Sequence, residues 1–510
     1  MKSPQYTLHI PPKTWSEFRQ AMLESRNKHE EVIGFLFCQR HEVKKNQIRF
    51  FPRYWVVPSH DCYEYQSQTG LVLKQEFHNF LLETYVPQGL HIVHIHTHLG
   101  DRQPYFSAID DSYESEYARF LSSYCRQKPR LISGVFNESL DKFQFRIWDR
   151  QGLSFQEVKF CHSFFSIPEV EKDSNLDNSY NHNSYNRNSY NHNSYNHNSY
   201  NHNLWNSQEN EIDLMFARQK IFGDNCQQML GELTVTLIGC GGIGSIFAEL
   251  LGRLGVKKWI LIDPDRLEEV NLNRMVAASK EMASQQLYKV DYVKQLIKRI
   301  YHRGARVQTI PTSLENISTK KEIEASDLIV VATDNHHSRQ VAQELALKYM
   351  RPLVCLGTHI DVKPDLVKSD LFKSSLFNYD LIESDLLKPN LIPRMYSRIT
   401  IPPVGGDWCL MCGNIINLQK AALEKSPFDI YQLGNKAGYL DGINDPAVFW
   451  LNSICASTAV GIIHGIVSGF LNIDSGIDWV FEFPECTWRK TDTDYLKTSD
   501  CYFCAFSSQE

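Results

Sequence analysis

Three histidines at alternate positions, in the run His94-Ile-His-Thr-His98, precede Ser107 and Asp110 in the chain. Imidazole nitrogens and a carboxylate are the ligands of a catalytic zinc ion, which takes three protein ligands and keeps a fourth position open. If the run is a strand, residues 94, 96 and 98 point the same way, so two of their imidazoles can meet one metal ion at the strand end. Asp110 is the predicted third ligand. Glu31, before another predicted strand, is a candidate general base and acid.

Each of these residues also has an ordinary structural interpretation. Ser107-x-x-Asp110 is a capping box for a helix that begins near residue 108, and Glu31 could be a surface residue. We interpret the combination of Glu, His-x-His and Ser-x-x-Asp in one small domain as a hydrolytic metal site. His94 is the alternative ligand if the register of the strand is shifted.

A second set of residues begins with Gly239-Cys-Gly-Gly-Ile-Gly244, between an apolar run and a predicted helix, and Asp263 ends the next predicted strand. This spacing alone is a dinucleotide fingerprint and suggests NAD. Fixed positive charge and a magnesium ligand further along the chain favour a triphosphate instead, because a nicotinamide site needs neither. The candidate nucleotide-binding residues are Gly239, Gly241, Gly242, Gly244, Asp263, Asp265, Asn271, Arg274, Lys289 and Asp334, with Asp263 for the ribose hydroxyls and Asp334 for magnesium.

The chain has thirteen cysteines, an odd number, and four of them form two C-x-x-C pairs. This usage fits reduced thiols and a metal better than disulfides in a chain of this size. The pairs are Cys409 with Cys412 and Cys501 with Cys504. Four thiolates make a closed tetrahedral site, so we expect a structural zinc; the alternative is a chance occurrence of buried cysteines.

The composition limits the classes of partner. The net charge is −6, and the sequence has no block of Lys and Arg with interleaved aromatic residues, which argues against nucleic acid as a partner. The first residues lack the apolar segment of a secretory signal, so we expect a cytoplasmic protein. The apolar stretch at 454–471 is interrupted by polar residues and predicts a buried core helix rather than a membrane span.

A chain of 510 residues is too long for a single core. Residues 178–202 repeat Asn-Ser-Tyr-Asn-His and have almost no aliphatic side chains, so we interpret 161–210 as a flexible linker rather than as a weak metal site of the repeated histidines. The linker would tether residues 1–160 and residues 211–510 without fixing their orientation.

Short apolar runs and helical periodicities predict the elements of each half. Residues 1–160 form a predicted α+β domain with strands at 32–38, 48–51, 54–57, 91–95 and 131–136 and helices at 13–23, 74–84 and 108–124. Residues 211–510 alternate strand and helix, which predicts an α/β fold with a mostly parallel, Rossmann-like sheet covered on both faces. Its predicted strands are 233–238, 257–262, 306–310, 327–332 and 352–356, and its helices are 243–254, 288–301 and 336–349.

Over about residues 5–150 the chain resembles the JAB/JAMM zinc metallopeptidases, which remove ubiquitin-like tails or cut isopeptide bonds to them. The resemblance implies these roles: zinc ligands His96, His98 and Asp110, proton handling by Glu31, and oxyanion stabilisation by Ser107. The sequence departs from the family twice. Leu99 stands where the family usually has proline, and eight residues rather than seven separate the second histidine from the serine.

Over about residues 211–505 the chain resembles the ThiF-like family of ubiquitin-activating enzymes and sulfur-carrier adenylyltransferases. Five separated motifs carry the resemblance: the glycine loop, Asp263-Pro-Asp265, Asn271-Leu-Asn-Arg274 with Lys289, Thr333-Asp-Asn335 and Phe216-Ala-Arg218-Gln219. It implies ATP and magnesium as cofactors and a small ubiquitin-like protein as the partner, whose C-terminal carboxylate attacks the α-phosphate. Arg218 would reach the phosphates of the other subunit in a homodimer, with Arg274 as a second catalytic cation.

The two resemblances together predict a bifunctional enzyme of a prokaryotic-type ubiquitin-like pathway. One half would mature or remove the modifier, and the other would adenylate it. Cys455 is the best candidate for a thioester-forming thiol, although a buried cysteine in an apolar helix is usually inert, and a conjugating partner could accept the tail instead. The alternatives are a sulfur-carrier adenylyltransferase with a trimming peptidase, in cofactor biosynthesis, and a scaffold with one inactive half.

Overall fold

The computed structural model describes most of both halves of the chain. The predicted linker repeats at 178–202 lie outside the described residues, as do the ends of the C-terminal half. The described residues are 4–26, 30–44, 46–68, 70–100, 102–162, 214–301, 304–315, 322–361, 394–425, 447–497 and 501–504.

The N-terminal half contains a closed barrel of strands in the order β1-β3-β2-β6-β7-β8-β9. Its strands are Gln5–His9 (β1), Ile33–Lys44 (β2), Gln47–Val56 (β3), Tyr63–Gln66 (β4), Leu71–Leu73 (β5), His91–Thr97 (β6), Leu131–Phe136 (β7), Phe143–Trp148 (β8) and Phe155–Cys161 (β9). Its helices are Pro12–Glu24 (α1), Gln75–Tyr85 (α2) and Ala108–Tyr124 (α3).

Side chains alternate between two cores along the barrel strands, as the pleat of a strand requires. On β2, Leu36 and Cys38 lie in the core inside the barrel. Phe35 and Phe37 lie in a second core that also contains Leu81 of α2 and residues of α3. Strand β2 is therefore packed on both faces. A slip by one residue would exchange the side chains of the two cores, so this packing fixes the register between β2 and β6.

The C-terminal half contains an eight-stranded sheet in the order β12-β11-β10-β13-β14-β15-β16-β17. The strands β10 to β14 pair in parallel, whereas β15, β16 and β17 add antiparallel pairs, so the sheet is mixed rather than mostly parallel along its whole width. The strands are Thr234–Ile238 (β10), Lys258–Ile262 (β11), Arg306–Ile310 (β12), Leu328–Val331 (β13), Leu353–Ile360 (β14), Met395–Ile401 (β15), Ile477–Phe483 (β16) and Thr487–Lys490 (β17).

Helices cover both faces of this sheet, as the alternating pattern predicts. Apolar residues of α5, α7 and α10 share one core with the sheet, and those of α8 share the core on the opposite face. The helices are Asp224–Glu232 (α4), Gly242–Leu254 (α5), Lys280–Ser284 (α6), Lys289–Tyr301 (α7), His336–Tyr349 (α8), Leu418–Glu424 (α9) and Phe449–Val467 (α10).

Within the described residues, α10 is the one helix long and apolar enough to cross a membrane by length and composition. In the structure it packs against α5 and against the strands β14 and β15. Cys455, Ala459 and Ile463 of this helix are fully buried. This position agrees with the predicted buried core helix.

The two halves contact each other directly. The guanidinium group of Arg49 on β3 lies 3.1 Å from the carboxylate of Asp327, just before β13. Lys13 at the start of α1 pairs with Asp407. The linker composition gives no information about such contacts between charged side chains on distant elements, and the absence of a fixed orientation between the two halves stays a prediction.

Candidate functional site

A cavity of about 300 Å³ lies at the carboxyl ends of the parallel strands β10 to β13. Among the described residues that line it are nine of the ten predicted nucleotide-binding residues: Gly239, Gly241, Gly242, Asp263, Asp265, Asn271, Arg274, Lys289 and Asp334. The carboxyl edge of a parallel sheet is where ligands bind in open α/β folds. The structure thus brings residues that are far apart in the sequence into one space.

The tenth predicted residue, Gly244, lies beneath the glycine loop. A Cβ atom at Gly244 would overlap the backbone carbonyl oxygen of Gly239, and Gly239 itself has a φ of 91°, which L side chains rarely adopt. The loop then leads into the first turn of α5 (Gly242–Leu254), whose N-cap residue has no side-chain hydrogen bond. Unsatisfied backbone N–H groups at such a helix start are suited to bind phosphate.

Asp263 holds the loops that form the cavity floor. One of its carboxylate oxygens accepts a hydrogen bond from the backbone N–H of Cys240 at 2.7 Å, and the other accepts one from the backbone N–H of Asp265 at 2.8 Å. Burial raises the pKa of Asp263, and the nearby charge of Lys289 opposes that shift. The ammonium group of Lys289 also lies 2.7 Å from the carboxylate of Asp265, so a fixed cation faces the cavity.

The predicted zinc ligands of the N-terminal half converge at the end of β6. The Nε2 atoms of His96 and His98 are 3.2 Å apart. They lie 3.3 Å and 3.6 Å from the carboxylate oxygens of Asp110, respectively. Burial raises the pKa of Asp110, but hydrogen bonds with His96 and Ser107 outweigh it and hold that pKa well below its usual range. Two imidazoles and an ionised carboxylate form a donor set that fits a zinc ion.

Ser107 caps α3 and also orients this carboxylate. Its hydroxyl oxygen accepts a hydrogen bond from the backbone N–H of Asp110, and its own N–H donates to the Asp110 carboxylate at 2.6 Å. The capping box therefore also positions the candidate metal ligand Asp110, and the two interpretations of Ser-x-x-Asp do not exclude each other.

Strand pairing places Glu31 beside the triad of candidate ligands, which consists of His96, His98 and Asp110. Ile33 on β2 pairs with His96 on β6, which places Glu31 at the level of the last histidine. Burial raises the pKa of Glu31 to about 7, opposed by the charge of His96 and reinforced by that of Asp110. A carboxyl group with a pKa near neutrality suits a residue that both accepts and returns a proton.

His94, the alternative ligand, has other partners. Its Nε2 atom hydrogen-bonds with the hydroxyl group of Ser133 at 2.8 Å and lies 3.4 Å from the carboxylate of Glu114. Glu114 is buried and also pairs with Arg146. The candidate metal-binding group formed by the described residues is thus His96, His98 and Asp110, and His94 is not part of it.

The four cysteines of the two C-x-x-C pairs meet in one cluster. Their Sγ atoms are separated by 3.7 Å between Cys409 and Cys412, 3.6 Å between Cys409 and Cys501, and 3.5 Å between Cys412 and Cys504. Thiolates bound to zinc at about 2.3 Å in a tetrahedron are about 3.8 Å apart. The cluster therefore fits a closed zinc site that would join the segment after β15 to the C-terminal segment.

Comparison with known proteins identifies part of the C-terminal half. Residues 216–365 match the family described as the ThiF family. Residues 216–365 therefore form a ThiF-family domain. The match includes the glycine loop and the residues that surround the cavity up to the end of β14.

Relatives of the ThiF-family domain carry several names. The chain is 28% identical to the sulfur carrier protein ThiS adenylyltransferase of Bacillus subtilis strain 168 over 159 residues, which cover 28% of this chain and 44% of that protein. It is 39% identical to ubiquitin-like modifier-activating enzyme 5 of Caenorhabditis elegans over 66 residues, 13% of this chain and 16% of that protein. The chain thus spans less than half the length of these curated relatives.

A partial structural likeness also exists. A crystal structure of MccB of E. coli with ATP superposes with a TM-score of 0.42 and 15% identity, over 58% of this chain and 75% of that chain. The superposition leaves about two fifths of this chain and a quarter of that chain unmatched.

Two further residues, Asn452 and Arg339, line the cavity and were not predicted. Asn452 on α10 accepts a hydrogen bond from the hydroxyl group of Thr358 on β14 at 3.0 Å. A Cβ atom at Gly242 would press on the amide nitrogen of Asn452, so this glycine gives the amide room beside the loop. Arg339 on α8 donates to the carbonyl oxygen of Thr333 at 2.8 Å. Arg339 lies only six residues after Thr333, so its nearness to the predicted motif Thr333-Asp-Asn335 could have indicated it. Asn452 has no such signal, because it reaches the cavity only through the packing of α10.

Two predicted catalytic residues are not among the described residues that line the cavity, although the Cys455 thiol contacts the carbonyl oxygen of Gly357, which does line it. Arg218 is exposed, in the segment Leu214–Phe222, and is not among the described residues that line the cavity of its own chain. Cys455 is fully buried in α10, and burial raises the pKa of its thiol to about 12. A protonated and inaccessible thiol is a poor nucleophile, so this position does not fit the predicted role of Cys455.

Replacing Cys501 with serine is expected to remove one zinc ion per chain and to lower the melting temperature by about 5 to 10 °C, since a closed site contributes directly to folding. The matched control is Cys486→Ser, which removes an exposed thiol outside the cluster. Zinc content measured by inductively coupled plasma mass spectrometry, together with thermal melts, checks this. Equal zinc content in both variants would show that the four thiols hold no metal.

Proposed function

We propose that the ThiF-family domain uses ATP to adenylate the C-terminal carboxylate of a small ubiquitin-like protein. The observation that carries this proposal is the single cavity in which the glycine loop, Lys289, Arg274 and Asp334 converge. Relatives named as a sulfur-carrier adenylyltransferase and a ubiquitin-like modifier-activating enzyme support this class of substrate.

The arrangement suggests how the chain's own residues act on ATP. The glycine loop and the start of α5 would bind the phosphates through backbone N–H groups. The exposed carboxylate of Asp334 would hold a magnesium ion, which supplies positive charge to the phosphates. A carboxylate oxygen of the tail bonds to the α-phosphorus while the bond to the bridging oxygen breaks, and pyrophosphate leaves with that electron pair. Lys289 and Arg274 stabilise the developing negative charge.

Arg218 would act across a homodimer in this proposal. Its segment exposes the apolar side chains of Leu214 and Ile221 to solvent, at 90% and 87% of their surface. Large exposed apolar side chains often mark a protein interface. A second copy that covers them would bring Arg218 toward its partner's cavity.

We further propose that the N-terminal half is a JAB/JAMM-type zinc metallopeptidase that acts on the tail of the same modifier. His96, His98 and Asp110 would hold the zinc ion, which supplies Lewis acidity toward the scissile carbonyl group. Glu31 would accept the proton of the attacking water and return it to the leaving amine. The Ser107 hydroxyl oxygen accepts a backbone hydrogen bond, which leaves its hydrogen to donate to the oxyanion.

The two activities fit one pathway, in which hydrolysis exposes a carboxylate and adenylation activates it. Either a thiol of this chain or a conjugating-enzyme partner would then receive the tail. The alternative is a sulfur-carrier adenylyltransferase with a precursor-trimming peptidase in cofactor biosynthesis, favoured by the name of the Bacillus relative. Intact mass spectrometry with ATP and a small ubiquitin-like protein from a neighbouring gene separates them. A dithiothreitol-sensitive adduct supports the modifier pathway with a thiol of this chain as the acceptor. If only an adenylate forms, transfer of the tail to the thiol of an added conjugating enzyme supports the modifier pathway, whereas conversion to a thiocarboxylate by an added sulfur donor supports the sulfur-carrier pathway.

Lys289→Ala is expected to lower the rate of ATP–pyrophosphate exchange by about 100-fold or more, because one fixed cation stabilising transition-state charge typically contributes that much. Lys298→Ala is the matched control, since Lys298 lies on the same helix and is exposed. Exchange is measured with radiolabelled pyrophosphate and the candidate modifier. Wild-type exchange in the Lys289 variant would overturn the proposed phosphate site.

A further inference from the structure

The contacts between the two halves form a defined docking surface. It consists of His41, Arg49, Phe51 and Arg53 from the N-terminal half and Glu324, Asp327, Tyr349 and Arg351 from the ThiF-family half. We infer that this docking surface holds the N-terminal half against the amino edge of the sheet, so that the chain works as one rigid unit and not as two tethered domains.

Arg49 and Asp327 form a partly desolvated ion pair. The two side chains are exposed by 15% and 7%, and the closest nitrogen and oxygen atoms are 3.1 Å apart. The second carboxylate oxygen of Asp327 accepts a hydrogen bond from the backbone N–H of Thr234 at 3.0 Å. The Asp327 carboxylate thus has one partner in each half. Its hydrogen bond with Thr234, within the C-terminal half, holds it in position to pair with Arg49.

Arg53 binds the C-terminal end of α8. Its Nη2 atom donates to the carbonyl oxygens of Leu347 and Lys348 at 3.2 Å and 2.9 Å, and also to the side chain of Gln39 within its own half. The last carbonyl groups of a helix lack intrahelical donors and carry partial negative charge. A guanidinium group supplies both the donors and the opposite charge, so this contact is specific for a helix end.

Aromatic rings fill the space between these charged contacts. Phe50 points into the barrel core, so Phe51 points outward, yet Phe51 is fully buried. The guanidinium group of Arg351 covers its ring at 5.1 Å, and His41 packs against both Phe51 and Tyr349. An outward-facing phenylalanine that is fully buried indicates a dry interface of the kind that stable protein contacts have.

The docking surface lies away from both candidate sites. Asp327 precedes β13 and Arg351 precedes β14, at the amino edge of the sheet, whereas the nucleotide cavity is at the carboxyl edge. In the barrel, Ile33 of β2 pairs with the candidate zinc ligand His96. His41 of the docking surface lies eight residues further along β2, which is about 26 Å at 3.3 Å per residue. Docking therefore leaves both sites open, which an inhibitory contact would not.

The test uses the full chain with a protease recognition sequence inserted in the repeats at 178–202. After cleavage, the two fragments should elute together on size exclusion. Arg53→Glu combined with Arg49→Glu should weaken their association at least 100-fold, whereas Arg126→Glu, an exposed arginine on the same half, should not change it. Zinc content of each fragment reports folding.

Two results would overturn the inference: separation of the wild-type fragments after cleavage, or continued co-elution of the fragments that carry both Glu substitutions. If that double variant loses zinc and is misfolded, Arg53→Ala decides, because it removes the donors to the helix end without adding charge. Wild-type association of the Arg53→Ala fragments would then count against the docking surface.

Discussion

ATP–pyrophosphate exchange is expected to fall by more than about 100-fold when Gly244 is replaced with alanine. The new methyl group would overlap the carbonyl oxygen of Gly239, which is backbone and cannot move aside like a flexible side chain. The loop must shift instead, and a displacement of about 1 Å in a positioning element costs about that factor in rate. Because all the loop N–H groups shift together, affinity for Mg-ATP should fall as well, as measured by isothermal titration.

Gly461→Ala is the control for this substitution. Gly461 lies in the exposed part of α10, and a Cβ atom added there would have no atom within 4 Å. Alanine in a helix is favoured over glycine by about 1 kcal/mol. The exchange rate of this variant should equal that of the wild type with no loss of melting temperature. If Gly244→Ala also kept the wild-type rate, the loop could not be the phosphate site.

Cleavage of a C-terminal extension from a ubiquitin-like protein is expected to fall by about 1,000-fold in Glu31→Gln, within the range that one general acid–base residue contributes. Glutamine keeps the size and polarity of the side chain but cannot accept the proton. Glu31 is not one of the triad, so zinc content should stay at the wild-type level. Cleavage is followed by intact mass spectrometry of the modifier.

Glu64→Gln makes the same chemical change at an exposed position on β4 and should leave cleavage unchanged. A Glu31→Gln variant that cleaves at the wild-type rate with full zinc content would rule out Glu31 as the acid–base residue. Loss of zinc together with cleavage would show instead that the side chain supports the metal ligands.

Local patterns predicted the parts of the fold that depend on local physics. The run around His94 alternates as a strand must, and the capping box at Ser107 starts α3 at residue 108. The glycine loop between an apolar strand and a helix occurs in the structure as predicted, because the space at Gly244 is limited by the carbonyl oxygen of Gly239, five residues earlier.

Features that depend on contacts between distant segments could not be predicted in the same way. The antiparallel strands β15 to β17 lack the regular alternation with helices that marked the parallel strands. Asn452 lies on α10, far along the chain from the glycine loop, and lines the cavity. The sequence around it has no pattern that marks it as a cavity residue rather than an ordinary residue of the helix. The burial of Cys455 is likewise a result of how α10 packs on the sheet.

The positions of the two sites relative to the docking surface determine the route of a modifier between them. A tether without fixed orientation would let the metal site swing toward the nucleotide cavity and pass on its product. Docked at the amino edge, the barrel holds its triad on the side away from that cavity. Under the two proposed activities, a tail released by hydrolysis would diffuse through solvent before adenylation, and other copies of the modifier would compete with it for the nucleotide cavity on equal terms.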